Sequence, residues 1–115
     1  MKLEYRSGCP IASTLDILGD RWTLVLIRDM LNGKSKYSEF LDSPERITTN
    51  VLADRLAKME ANGIVKKTLY LERPKRYAYE LSTMGKGLHP VLKELCRWGN
   101  KFIPDTWIPP RSFMR

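Results

Sequence analysis

The sequence predicts a mainly α fold with one small β-hairpin, and three features carry that prediction. Apolar residues recur at helical spacing in separate stretches between Ile11 and Phe102. After Gly63 the pattern changes to a stretch rich in β-branched and aromatic residues from Ile64 to Leu71. Arg73-Pro74-Lys75 then interrupts that run, and Tyr77, Tyr79 and Leu81 alternate with Arg76, Ala78 and Glu80 beyond it.

Gly8, Cys9 and Pro10 close an irregular arm. Ile11, Leu15 and Leu18 follow at i, i+4 and i+7, one stripe of a helix that Gly19 stops. Asp20 is a good N-cap for a second helix over about Arg21 to Leu31, because its carboxylate accepts from the free N–H groups of the first turn. That helix is apolar nearly all round (Trp22, Leu24, Val25, Leu26, Ile27, Met30) and is expected at the centre of the core. Asn32-Gly33 supplies its left-handed stop. Lys34 to Lys36 form a polar link, and a short helix from Tyr37 to Leu41 is expected to bury Phe40 and Leu41. Asp42 to Arg46 reads as a turn.

Thr48 or Thr49 then caps a longer helix ending at Asn62-Gly63, with Leu52, Leu56 and Met59 inward. Thr49, Asn50, Ala53, Asp54, Ala57 and Lys58 occupy its other face. In the hairpin, Val65, Leu69 and Leu71 share one face, while Lys66, Thr68 and Tyr70 share the other. Ser82 or Thr83 caps a last helix through Met84, Leu88, Val91, Leu92, Leu95, Trp98 and Phe102, which Pro90 should kink or divide. Residues 104–115 hold three prolines and read as an irregular tail, packed through Trp107. A lone hairpin is marginal in water and must pack on the helices.

A chain of 115 residues makes one domain of ordinary size. Lys and Arg number 20 against 13 Asp and Glu, a net charge of +7. That excess points to a polyanionic partner, nucleic acid first. No apolar run approaches the roughly 20 residues of a membrane span. Met1 to Arg6 carry no apolar leader, so the cytoplasm is the expected compartment. Two cysteines and one histidine are too few for a disulfide scaffold or a paired zinc site, and no glycine-rich phosphate loop occurs. No metal or cofactor is expected. His89 has no recognisable nucleophile or second base, so the chain is not expected to be an enzyme, and this histidine is assigned to the surface or an interface.

A short helix, a tight turn and a longer helix with a polar outer face make a helix-turn-helix candidate. Thr48, Thr49 and Asn50 stand at the N-terminal end that would meet base edges. There Thr contacts a thymine methyl or a phosphate, and Asn pairs with adenine. Arg55, one turn on, has the reach for a phosphate or a guanine. A merely solvated face gives the same pattern. The hairpin tip discriminates: Arg73, Lys75 and Arg76 fall within four residues, a cationic projection suited to the phosphate backbone or minor groove.

Several motifs together resemble one family. Cys9-Pro10-Ile11, Leu15 and Leu18-Gly19-Asp20-Arg21-Trp22-Thr23 resemble the opening of HxlR-type winged helix-turn-helix regulators. Ile47-Thr48, Val51-Leu52, Arg55-Leu56, Met59-Glu60 and Gly63-Ile64-Val65 are similar to their recognition helix and its exit. Arg76, Tyr79-Glu80-Leu81-Ser82, Gly85, Pro90-Val91-Leu92, Leu95 and Trp98-Gly99 resemble their wing and last helix. The resemblance covers about residues 7 to 100.

It implies a homodimeric, sequence-specific transcriptional regulator of double-stranded DNA, related in architecture to the MarR group and acting on a pseudopalindromic operator. Residues 1–103 would be the DNA-binding domain, dimerising through its N- and C-terminal helical segments, and 104–115 the tail. The recognition helix would span about 48–62 and the wing about 72–76. Carried over residue by residue, the DNA contacts are Thr48, Thr49, Asn50, Ala53, Asp54, Arg55, Arg73, Lys75 and Arg76. Thr49, Asn50 and Asp54 depart from residues common in the family, which bears on the sequence preferred. An alternative is a winged helix used for protein contact, and the polar outer face argues against it.

Family members often carry a cysteine at the place of Cys9, which in some senses oxidants or electrophiles. A sensor thiol needs exposure and a lowered pKa, and Arg6 and the following helix would favour the second. Cys96, following Leu92 and Leu95, is assigned to the core, as are Trp22 and Trp98. The sequence names no dedicated effector site.

Overall fold

The computed structural model describes residues 5–115; Met1 to Glu4, the larger part of the stretch read as lacking a leader, lie outside the described residues. In chain order the elements are α1 (Pro10–Leu18), α2 (Thr23–Leu31), α3 (Tyr37–Leu41), α4 (Thr49–Ala61), β1 (Val65–Glu72), β2 (Lys75–Leu81), α5 (Thr83–Lys86), α6 (His89–Phe102) and α7 (Arg111–Met114). No helix among the described residues is long and apolar enough to cross a membrane.

The core lies where α2, α3 and α4 meet the root of the hairpin. Leu26, Ile27, Phe40, Leu52, Leu56, Met59 and Ile64 are its fully buried side chains. Each is worth about 1.5–3 kcal/mol of transfer free energy. The regular helix α2 starts two residues later than expected, with Trp22 and not Asp20 at its N-cap position; Asp20 still serves its start, Oδ2 accepting from the backbone N–H of Trp22 (2.9 Å) and Thr23 (3.0 Å). Gly33 and Gly63 take the left-handed conformation (φ 97° and 74°) that ends α2 and α4. Glu39 Oε1 accepts from the backbone N–H of Ser35 and Lys36, each at 2.9 Å, and fixes the entry to α3. Those two amides hold its carboxyl below the usual range.

The hairpin is antiparallel, pairing Val65 with Leu81, Lys67 with Tyr79 and Leu69 with Tyr77. The register then slips between Leu69 and Leu71, so that Leu71 faces Arg76 and Glu72 faces Lys75. The root is tied down by hydrogen bonds, and Lys67 of β1 pairs with Glu60 of α4 at 3.7 Å. Tyr79 N–H donates to Ser35 O (2.8 Å), and the Ser82 hydroxyl donates to Gly63 O (2.5 Å). Tyr79 is buried, and burial, aided by the neighbouring Tyr37, pushes its phenol up to about 12.

Several apolar stripes read from the sequence are left exposed by the fold. Ile11 and Leu15 of α1 face solvent, and only Leu18 of that stripe enters the core. Leu41 is exposed too, because a five-residue helix turns only Phe40 inward. Leu69 and Leu71 lie on the part of the hairpin that projects past the helices and are exposed. Pro90 divides the last helix, starting α6 afresh after the short α5. Leu92 is the one buried residue of α6, Leu88 and Cys96 pack beside it, and Val91, Leu95, Trp98 and Phe102 are exposed. Trp98 is therefore not a core residue, whereas Trp22 does pack against the core.

The tail corrects the expectation of an irregular segment packed through Trp107. It is irregular only as far as Pro110, then forms α7, and it is anchored through buried Phe113 while Trp107 is 78% exposed. His89, half-buried, is the other half of that anchor. Its Nε2–H donates to Phe113 O (2.7 Å), and the two rings lie 4.7 Å apart.

Candidate nucleic-acid interface

The helix-turn-helix pair is set by contacts between residues far apart in the chain. Asp29 is buried on α2 and accepts from the Ser43 hydroxyl (2.5 Å) in the turn leading to α4. Its neighbour Arg28 makes a two-pronged pair with Glu45 in the same turn, at 2.7 and 2.8 Å, and also donates to Asp29. That partnership, against the opposing effect of burial, pushes the Arg28 guanidinium above its already high range and pulls the Glu45 carboxyl down. Lys34 Nζ donates to the Ser43 hydroxyl at 3.0 Å. The turn that aims α4 is thus pinned to α2 by charge-assisted bonds as well as by Phe40 and Ile47.

The N-terminal end of α4 opens outward. Thr48 is the N-cap, its hydroxyl accepting from Val51 N–H (3.4 Å). Thr49, Asn50 and Ala53 are exposed, and none of the side-chain hydrogen bonds among the described residues involves Thr49 or Asn50. Asp54 is exposed but not free: Arg55 and Lys58 both pair with it, the latter at 3.2 Å. The Lys58 ammonium, helped by Arg55, holds the Asp54 carboxyl below its usual range.

Arg55 has acidic partners on two sides. Its Nε donates to Asp20 (2.9 Å), tying α4 to the junction between α1 and α2, and its other arm pairs with Asp54. The guanidinium that the pattern offered to a phosphate or a guanine is already engaged by two carboxylates. Asp20 is partly buried, which raises its pKa. Hydrogen bonds from Thr23, Trp22 and Arg55 outweigh that and leave it lowered.

The hairpin end is the electrostatic opposite. Arg73, Lys75 and Arg76 are all exposed, and no ion pair among the described residues involves them. Two further cations flank the strands through aromatic faces: Lys36 lies 4.6 Å from the Tyr70 ring centre and Lys67 4.7 Å from that of Tyr77. Sequence reasoning missed Lys36, which belongs to the helix-turn-helix by position and to the wing by contact. It also missed the Asp20–Arg55 and Arg28–Glu45 pairs, which span 35 and 17 residues and leave no periodic trace.

At the N-terminus, Cys9 is exposed and stands at the N-cap of α1. Arg6 does not attend it; Arg6 pairs with Asp16 at 2.6 Å. Cys96 is half-buried against the core.

Comparison with known proteins agrees with this architecture. A family model described as HxlR-like helix-turn-helix matches residues 17–106. The uncharacterized HTH-type transcriptional regulator YdeP of Bacillus subtilis is 33% identical over 104 residues, 87% of this chain and 81% of that protein. Among solved structures, the redox regulator HypR in its oxidized form superposes with a TM-score of 0.72 at 33% identity, over 81% of this chain and 96% of that one. The reduced form of the transcriptional regulator YodB from B. subtilis gives 0.70 at 28% identity, over 88% of this chain and 100% of that one. With the winged helix-turn-helix in place and the family model spanning most of its length, the chain belongs to the HxlR-like family of helix-turn-helix transcriptional regulators.

Proposed function

We propose that this regulator acts in the cytoplasm as a homodimer on a pseudopalindromic DNA operator, with α4 in the major groove and the wing on the backbone or minor groove. The observation that carries the reading is a division of labour. An uncharged, outward-facing helix end (Thr48, Thr49, Asn50, Ala53) is followed by a hairpin whose tip cations (Arg73, Lys75, Arg76) have no acidic partner among the described residues. Neutral polar side chains suit the reading of base edges, and unpaired cations suit phosphate. In this reading Asp54 and Arg55 serve α4 mainly by orienting it.

The homodimer is supported by α6. Val91, Leu95, Trp98 and Phe102, spaced 4, 3 and 4 residues apart, form an exposed seam of the kind that pairs helices. Two copies would place their recognition helices about 34 Å apart, one turn of B-DNA. Occupancy of such a site near a promoter then blocks or redirects polymerase.

An unbiased selection from random duplex DNA at near-physiological salt tests this. An enriched inverted repeat is expected; weak, salt-sensitive binding with no enriched sequence would overturn it.

A second reading adds a thiol switch. Cys9 is exposed at the start of α1, and the similar structures include a regulator described as a redox regulator. Running the selection on reduced and oxidised protein, with mass spectrometry of Cys9, decides it. An unmodified Cys9 after mild oxidation removes this reading and leaves the first intact.

A further inference from the structure

The segment 104–110 lies largely beyond the family match, which ends at residue 106, and it is built in an unusual way. Its two largest side chains, Trp107 and Ile108, are 78% and 80% exposed, more than any other large apolar residue described. An exposed tryptophan on a loose tail would mean little. This one is held from both sides.

On the near side, the Asn100 amide of α6 donates to Thr106 Oγ1 and to Trp107 O, each at 2.9 Å. The Thr106 hydroxyl donates to Ile103 O (3.2 Å), and Asp105 turns the chain in the left-handed conformation (φ 64°). On the far side, Pro109 and Pro110 restrict the backbone, and α7 is fastened by buried Phe113, by His89 and by Lys93 Nζ donating to Arg115 O (2.8 Å). The tip is thus presented in a fixed geometry, so little ordering entropy remains to be lost when something covers it.

What covers it follows from its surroundings. Trp107 and Ile108 line a cleft of ≈ 460 Å³ with Leu24 and Val25 of α2 and Leu95 and Cys96 of α6. Leu95 also belongs to the exposed α6 seam, so tip, cleft and seam are one continuous apolar patch. The segment carries no cation and one acid, Asp105, which disfavours DNA as the occupant.

Area argues for a second copy. The seam alone exposes on the order of 400 Å², below the roughly 800 Å² per partner of a stable interface. Trp107 and Ile108, 78% and 80% exposed, add on the order of 300 Å², which brings the patch into the range of roughly 600–1,000 Å² per partner, and a two-fold pairing uses the same patch on both sides.

We propose that residues 106–110 form a dimerisation arm, Trp107 and Ile108 joining the α6 seam in one self-complementary patch covered by the same patch of a second copy of this chain. The inference rests on the homodimer reading and assigns a specific part of the interface.

Sedimentation equilibrium of the full chain, wild type against Trp107→Ala/Ile108→Ala, tests it. Neither side chain is part of the core, so the far-UV spectrum should be unchanged while the dimer dissociation constant rises at least 100-fold. Asn100→Ala, which keeps Trp107 but frees the loop, should weaken the dimer about tenfold. A wild-type dimer whose dissociation constant stays within threefold in the double variant overturns the arm and leaves the homodimer standing. A wild type that remains monomeric at high micromolar concentration overturns both. A double variant that dimerises normally but loses DNA binding assigns the tip to another partner and also overturns the arm.

Discussion

The outer face of α4 and the hairpin tip both bear charge, but they hold it differently. On α4 the charges are spent on one another: Arg55 on Asp20 and Asp54, Lys58 on Asp54. On the hairpin Arg73, Lys75 and Arg76 extend into solvent with no acidic partner among the described residues. Residue type alone would assign Arg55 and Arg76 the same role. The contrast teaches that residue type alone does not say whether a guanidinium is partnered: the fold gives Arg55 two carboxylates and leaves Arg76 without an acidic partner among the described residues.

The difference can be broken first at the wing's seat. A Cβ on Gly85 would lie 2.3 Å from Ile64 O and 2.9 Å from Leu81, where α5 crosses the root of the hairpin. Backbone cannot yield as a side-chain tip does, so Gly85→Ala should cost about 3 kcal/mol, the upper end for overpacking. It should also weaken DNA binding, since the tip works only while held. Denaturant titration beside a binding isotherm checks this; full stability would show that the root relaxes freely.

The next largest effect is on the tip itself. Replacing Arg73, Lys75 and Arg76 together by Ser should reduce affinity for any duplex roughly 30-fold and flatten the salt slope by about three units, one per phosphate contact. Fluorescence anisotropy across a salt series reads both. A slope unchanged from wild type would mean the tip does not meet the backbone.

Asn50→Ala sharpens the comparison from the other side. It should leave the salt slope alone and relax preference at one base pair by about tenfold, within the usual range of a base contact. Equal loss on every sequence would contradict a base-reading role.

The smallest effect concerns Asp20. Asp20→Asn should lower stability by about 1 kcal/mol through a weakened cap and a weakened tie to Arg55. The pH dependence has a definite sign. The Asp20 carboxyl is lowered from 3.8 in the folded protein, so its contribution is present above about pH 4 and lost as the pH falls through the folded value. Acid unfolding of the variant should therefore be shallower than that of the wild type, which thermal melts between pH 2 and 6 would reveal.

Much of the helix-turn-helix was legible residue by residue. Asp20, Thr48, Gly33 and Gly63 marked helix ends because caps and left-handed stops are local chemistry, settled within four residues. Leu52, Leu56 and Met59 marked the inner face of α4 correctly for the same reason. The same rule misled at Leu41 and Trp98, expected inside and found exposed: a stripe shows that a helix has an apolar side and does not say which molecule covers it. The bulge beside Tyr70 and the anchoring of the tail by Phe113 were equally hidden, because both depend on a partner strand or helix.

The sequence by itself determined the element order, the helix caps, the hairpin with its cationic tip and the apolar residues that any packing had to satisfy. These follow from backbone propensity and short-range periodicity, which act within a turn or two. Only the tertiary structure decided which charges remain free, which apolar faces stay uncovered, and that His89 and Phe113 fasten a tail whose tryptophan points outward. Ion pairing and burial depend on distances between segments 14 to 35 residues apart, and those distances exist only once the core formed by Leu26, Ile27, Phe40, Leu52 and Leu56 has closed.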